Sequence, residues 1–257
     1  MAPAVGQAIE PASNGDLLKP SMDDAYLRVQ QVEKSYTTGA TRQTVLRGIS
    51  LTIQRGERVA LLGQSGSGKS TLLNLIAGID TFDNGEIIVD TQAMSRLSEK
   101  QRTQFRRQHV GYIYQSFNLI QTLSAIENIQ LPLQLNGQSG QRVQRAAAAM
   151  LERVGLAQRA NAFPDQLSGG EQQRVAIARA MVHRPSLVLA DEHTGNLDAD
   201  TGQRMMQLFN DIAQETNQTV VMVTHSNAVA ATASRVLSIK DGAISPSDNS
   251  KDSGLAW

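Results

Sequence analysis

The chain has 257 residues, with 24 Lys+Arg against 24 Asp+Glu, 40% hydrophobic residues and no cysteine. That length allows one large domain or two small ones, with enough chain to bury a core. Zero net charge speaks against a nucleic-acid binder working by bulk electrostatics, and the lack of thiols excludes a disulfide framework, thiolate metal sites and cysteine nucleophiles, which fits a reducing compartment.

Residues 1–24 are rich in Pro, Ala, Ser, Gly and Asp, follow no helical or strand period, and read as a disordered tail. They carry neither the basic leader nor the apolar core of a signal peptide. No run anywhere approaches the roughly 18–20 apolar residues of a bilayer-spanning helix, so a cytoplasmic protein is expected, with any membrane role borrowed from a partner. Val45 to Ile53 alternates as a strand, with Ile49, Leu51 and Ile53 on one face, and Glu86 to Asp90 does the same. These short segments predict a small antiparallel sheet at one edge. Val59–Leu62, Leu187–Ala190 and Val220–Thr224 are apolar runs of the kind that form buried parallel strands.

The first of these runs leads into Gly63-Gln64-Ser65-Gly66-Ser67-Gly68-Lys69-Ser70-Thr71, a full match to G-x-x-x-x-G-K-[ST], followed by a helical pattern over Lys69–Gly78. The glycines let successive backbone N–H groups turn onto phosphate oxygens at a helix N-terminus whose dipole favours anions. Lys69 is expected to reach the β- and γ-phosphates, and the Ser70 hydroxyl to ligate magnesium. This is the pattern of a nucleoside-triphosphate site.

Ser95 to Met181 is helix-dominated, with Arg142–Val154 an Ala-rich amphipathic stretch, and predicts a helical subdomain set into an α/β core. Within it, Arg102, Arg106, Arg107 and His109 form a basic run that reads first as a solvated helix face, and second as a contact to headgroups or a membrane subunit. In Leu167-Ser168-Gly169-Gly170-Glu171, Ser168 is a helix N-cap and the glycines permit close approach of a ligand, a second anion-binding N-terminus in one chain. The run Leu187–Ala190 ends in Asp191 and Glu192, which alternate in direction. Asp191 suits the magnesium shell, and Glu192 suits the base that polarises the attacking water. Ser238 to Ile244 predicts a closing hairpin around Asp241-Gly242.

Taken together and in this order, the motifs resemble those of the ATP-binding cassette (ABC) ATPases, whose signature is LSGGQ where this chain reads LSGGE. The likeness covers nearly all of residues 26–244. It implies a P-loop α/β fold with a mixed, mainly parallel sheet, an antiparallel edge subdomain and an inserted helical subdomain. The layout expected is a tail over 1–24, a nucleotide-binding domain over 25–245 with its helical subdomain at 95–181, and a flexible tail over 246–257. The resemblance also implies ATP and magnesium as ligands and a head-to-tail dimer with a second copy. In that dimer Ser168, Gly169, Gly170, Glu171 and Asp198 face the ATP held by the other copy's phosphate loop. Tyr36, in Glu-Lys-Ser-Tyr, matches the aromatic that stacks on adenine, its other reading being edge-strand packing. Gln115 matches the glutamine that touches magnesium and links the site to the helical subdomain, and His225 matches the switch histidine at the γ-phosphate.

The string from Gln115 to Pro132 and the string Ala190-Asp-Glu-His-Thr-Gly-Asn-Leu-Asp198 look like those of the lipoprotein-release, macrolide-export and cell-division group. Membership implies an ATPase on the inner face of the membrane that drives a separate integral permease subunit and touches no nucleic acid. Two positions depart from the family: His193 and Gln121 stand where proline is usual, which frees φ and adds an N–H at each turn. Two rivals are a soluble cassette acting on ribosomes or DNA, and a scaffold that binds ATP mainly to recruit a partner. One cassette is present rather than two, and the stretch between Lys69 and Ser168 is too short for a long coiled coil, which argues against the first. Glu192 and His225 argue against the second.

Overall fold

The computed structural model describes residues 25–39, 41–191 and 199–246. The tail read at 1–24 and residues 247–257 of the other tail lie outside the described residues.

The chain opens with two long strands, β1 (Ala25–Thr38) and β2 (Thr41–Gln54), paired antiparallel. Their inward residues Leu27, Val29, Val32, Leu46, Ile49 and Ile53 are almost fully buried. The strand expected at Val45–Ile53 is present within β2 and is longer, whereas β1 matches no strand read from the sequence; it carries bulges between Val29 and Lys34, with Gln31 at φ 48. Those bulges break the period-two pattern that reveals a strand. β3 (Arg58–Leu62) then runs into the phosphate loop and α1 (Lys69–Ile76). β4 (Asn84–Val89) and β5 (Gln92–Ala93) complete a four-stranded antiparallel sheet in the order β2-β1-β4-β5.

The second sheet has six strands in the order β10-β9-β3-β8-β7-β6. It comprises β3, β6 (Val110–Ile113), β7 (Leu187–Asp191), β8 (Thr219–Thr224), β9 (Arg235–Lys240) and β10 (Ala243–Pro246). All its neighbours pair in parallel except β10, which turns back on β9 through Asp241 and Gly242, both at positive φ as a tight hairpin requires. Far from standing alone, that hairpin extends the central sheet, because β9 also pairs with β3. β6 is a finding that the apolar pattern did not reveal: only four residues long, it sits inside the helix-rich stretch after α2 (Glu99–His109).

Alternation sends the two faces of the parallel sheet into two cores. Val59, Leu61, Leu187, Leu189, Val221 and Val223 pack with α1 and the antiparallel sheet. Ala60, Val188, Ala190, Val220 and Met222 pack on the other side with helical residues including Ile129, Val175, Ile177 and Phe209. Each fully buried Leu or Val of this kind contributes about 1.5–3 kcal/mol. The helices on that side are α3 (Ala125–Leu135), α4 (Gly140–Arg153), α5 (Gly169–Met181) and α6 (Ala199–Glu215), with the short α7 (Asn227–Ala230) beyond β8. α4 buries Val143, Ala147 and Leu151, a stripe at the helical period. Ser124 and Glu127 close a capping box at the start of α3, and Ser98 and Gln101 do so for α2. Among the described residues, no helix is long and apolar enough to cross a membrane.

Candidate nucleotide site

The parallel strands all point one way, so their C-terminal ends share one edge of the sheet, where open α/β folds bind ligands. Leu62, Thr224 and the Asp191–Val223 pair fall in register at that edge, with Ile113 beside Ala190. The segments leaving these ends carry the phosphate loop, Gln115, Asp191 and His225. Gln115 lies exposed on the turn after β6, and His225 lies exposed immediately after β8.

The loop Gly63–Ser67 ends in Gly68, the N-cap of α1, at φ 97 with no side-chain cap. A side chain there would meet Leu46 Cδ2 at 2.6 Å besides adopting a strained φ, so this position needs glycine. Gly63 is similarly crowded by the Ile239 carbonyl, which seats the loop against the β9–β10 hairpin. A cavity of about 320 Å³ opens between Gly63–Ser67 and Ser238–Asp241. Lys69 is 5% exposed, and its Nζ donates to the carbonyls of Gly63 and Gln64, at 2.8 Å each. The ammonium is thus held over the loop rather than in solvent. The Ser67 hydroxyl is buried there with no partner among the described residues. The Ser70 hydroxyl donates to Asp191 Oδ1 at 3.0 Å. A hydroxyl and a carboxylate meeting at an anion-binding helix start form an oxygen-donor set that fits magnesium better than a softer metal.

The second N-terminus is finished differently. Ser168 caps α5: its Oγ accepts from the Glu171 N–H, while the Ser168 N–H and hydroxyl donate to Glu171 Oε2 at 2.8 and 2.9 Å. Arg159 Nε donates to the other carboxylate oxygen at 3.0 Å. The Ser168 N–H holds the Glu171 carboxyl below the usual carboxylate range, against the effect of burial, and Arg159 adds to it. The signature glutamate therefore spends its charge on the cap and the arginine. Gly169 is exposed and Gly170 partly so. Along α5, Arg179 donates to the carbonyls of Phe117 and Asn118 at 3.0 and 2.7 Å, tying the signature helix to the turn after Gln115.

Tyr36 is 40% exposed on β1, and its hydroxyl donates to Asp80 Oδ2 at 2.7 Å. Burial and this bond to a carboxylate both push its phenol up. Glu192, His193 and Asp198 lie outside the described residues. So do Asn196 and Leu197 of the same loop. Three contributors went unread in the sequence: Asp80, Arg159 and Asn128. Asn128 is fully buried; its amide donates to the carbonyls of Ile120, Leu123 and Ser124, and its Oδ1 accepts from the Ile120 N–H, folding the strand-to-helix loop after Gln115. The Ser124–Glu127 box three residues apart was the legible sign of that helix start. The basic run on α2 is largely spent inside the chain: Arg102 and Arg106 pair with Glu99, and Arg107 donates to the Leu135 carbonyl.

Known proteins resemble this chain in sequence and fold. The family profile described as ABC transporter matches residues 46–195. The ABC transporter ATP-binding protein Rv0986 of Mycobacterium tuberculosis is 46% identical over 223 residues, 87% of this chain and 90% of that protein. The lipoprotein-releasing system ATP-binding protein LolD of Shewanella frigidimarina is 43% identical over 232 residues, 90% of this chain and 97% of LolD. A dimeric post-hydrolysis structure of the ATP-binding cassette MJ0796 bound to ADP and Pi superposes with a TM-score of 0.80 at 39% identity, covering 86% of this chain and 98% of that one. By sequence and fold, the chain belongs to the ABC transporter family, as an ATP-binding and ATP-hydrolysing subunit of a transport or extraction system.

Proposed function

We propose that this subunit hydrolyses ATP with magnesium at sites shared between two copies of itself, and that closure and reopening of this pair drive a separate integral membrane permease. The observation that supports the reading most is the contact of Ser70 with Asp191 beside the Lys69 ammonium, which sets a phosphate charge clamp next to an oxygen-donor pair. Ser70, Asp191 and Gln115 would hold the magnesium ion, which supplies charge neutralisation at the β- and γ-phosphate oxygens. Lys69 and the N–H groups from Gly63 to Thr71 bind and orient the triphosphate. Glu192 accepts a hydrogen bond from the attacking water as the water oxygen bonds to the γ-phosphorus, and the proton it sheds passes to the departing inorganic phosphate. The bond to the β–γ bridging oxygen breaks, and ADP and inorganic phosphate leave. His225 holds the γ-phosphate, and Tyr36 stacks on the base. Ser168, Gly169, Gly170, Glu171 and Asp198 close over the nucleotide of the other copy. Catalysis here is positioning and charge stabilisation, with no covalent intermediate.

The likeness to LolD supports a cargo taken out of or across the inner membrane, of the class of lipids, lipoproteins, peptides or amphipathic drugs. The enzyme would sit on the cytoplasmic face through its permease, with the two tails outside the cassette and the helical subdomain passing motion from the Gln115 turn. Pull-down of the tagged chain from detergent-solubilised membranes tests this. The expected result is co-purification of an integral membrane protein whose presence raises ATP turnover; recovery of none would overturn the transport reading.

A further inference from the structure

Lys34 on β1 has a side chain only 8% exposed, a rare place for an ammonium unless it is fully partnered. Its Nζ donates to Asp80 Oδ1 at 2.9 Å and to the Thr81 carbonyl, and lies 4.8 Å from the centroid of the Tyr36 ring. The other oxygen of the same carboxylate accepts the Tyr36 hydroxyl at 2.7 Å. Burial pushes the Asp80 carboxyl up, but the bonds from Lys34, Tyr36 and the Thr81 N–H outweigh it and hold the group below the usual carboxylate range. Asp80 itself is rooted in the phosphate-loop helix. The N–H groups of Ile79 and Asp80 both donate to the Asn74 carbonyl, at 2.9 and 3.3 Å. The Tyr36 ring is therefore tied through Asp80 to the far end of α1. The first turn of the same helix carries Lys69 and Ser70.

We propose that Lys34 and Asp80 are positioning residues for nucleobase recognition: they back the Tyr36 ring with a cation and fix it at a set distance from the phosphate loop, ready to take a planar base joined to a triphosphate. This rests on the reading of Tyr36 as the base platform. A half-exposed tyrosine on a strand would otherwise sample several rotamers, and ordering it would cost affinity at each binding event. The cation also draws π-density from the ring, which favours stacking of an electron-rich purine on it. Because the network is anchored on α1, platform and phosphate cradle are pre-organised as one unit.

The test is calorimetric titration of the full-length chain with magnesium-ATP and, separately, with magnesium tripolyphosphate, which lacks the base. Lys34→Met and Asp80→Asn are expected to weaken ATP about ten-fold while leaving tripolyphosphate unchanged, and Lys34→Arg to keep most of the ATP affinity. Tyr36→Phe, which removes only the hydroxyl link, should move the ratio of the two affinities in the same direction and guards against a Lys34 variant that fails to fold. Equal loss of both ligands, or loss of neither, would overturn the proposal. If Tyr36→Ala lowers the ratio and the Lys34 and Asp80 variants do not, the positioning role alone falls. If Tyr36→Ala leaves the ratio unchanged, the platform reading falls and takes the inference with it.

Discussion

α1 and α5 each present a helix start flanked by glycines and a serine, yet the two are finished in opposite ways. At α1 the cap is Gly68, which has no side chain to offer the first N–H groups, and a buried lysine is folded back over the loop. At α5 the cap is Ser168, and a reciprocal box with Glu171 satisfies the helix start, with Arg159 balancing the charge. A bare N-terminus beside a cation is built to hold a polyanion by itself. A self-capped one holds its shape alone, and its exposed glycine backbone is suited to closing over a ligand that another surface carries. The difference suggests a division of labour: α1 binds, α5 senses.

The contrast breaks most plainly at Lys69. Lys69→Ala should lower ATP turnover by about 100-fold or more, since it removes a pre-organised charge from the phosphate site; a steady-state phosphate-release assay that found turnover within a few-fold of the parent would end the account of α1. Asp191→Asn comes next. It should raise the magnesium concentration for half-maximal rate by about ten-fold and leave nucleotide binding without metal unchanged, because one charged ligand oxygen pair becomes a neutral amide. Chelation by EDTA should stop turnover of the parent altogether.

How firmly α5 is rooted can be read at its other end. His183, just past Met181, is partly exposed but buries both ring nitrogens, with no hydrogen-bond partner for either among the described residues, and this burial pulls its imidazole down to about 4. The unfolded chain binds a proton there below about 6.5 and the fold does not until about 4, so stability is full above that window and falls as pH drops through it. Urea unfolding should show a loss of about 2 kcal/mol between pH 7 and pH 5, of which a His183→Gln variant is relieved. An identical pH slope in parent and variant would place the acid sensitivity elsewhere.

The smallest effect sharpens the sensing role. Arg159→Gln leaves Glu171 less well balanced where the partner's triphosphate would approach. It should raise the ATP concentration for half-maximal turnover about two- to five-fold, as expected for a partly exposed pair. The double variant Arg159→Gln/Glu171→Gln should recover, and a double variant as impaired as the single would show that Arg159 acts by packing instead.

Much of this was legible in the sequence, for physical reasons that differ by region. β3, β7 and β8 are buried on both faces, so continuous apolar runs announced them, and the phosphate loop is a local motif whose spacing is its geometry. β6 escaped because Val110, Gly111, Tyr112 and Ile113 are too few to show a period, and β1 because bulges interrupt its alternation. Arg159 and Glu171 are twelve positions apart, and Lys34 and Asp80 are 46 apart. Neither pair has a local pattern, since only the fold brings each together. Tyr36 stands in a motif that the resemblance covers, whereas the network that holds it is assembled only by the fold.

The central claim is that a site bound by α1 of one copy is closed by α5 of another. Sedimentation velocity of Glu192→Gln, with and without ATP, measures it directly. Closure across two copies predicts an ATP-dependent shift from monomer to dimer, abolished by adding Ser168→Arg although that double variant still binds ATP. A Glu192→Gln chain that stays monomeric with saturating ATP, or a dimer that persists with Ser168→Arg, would contradict it.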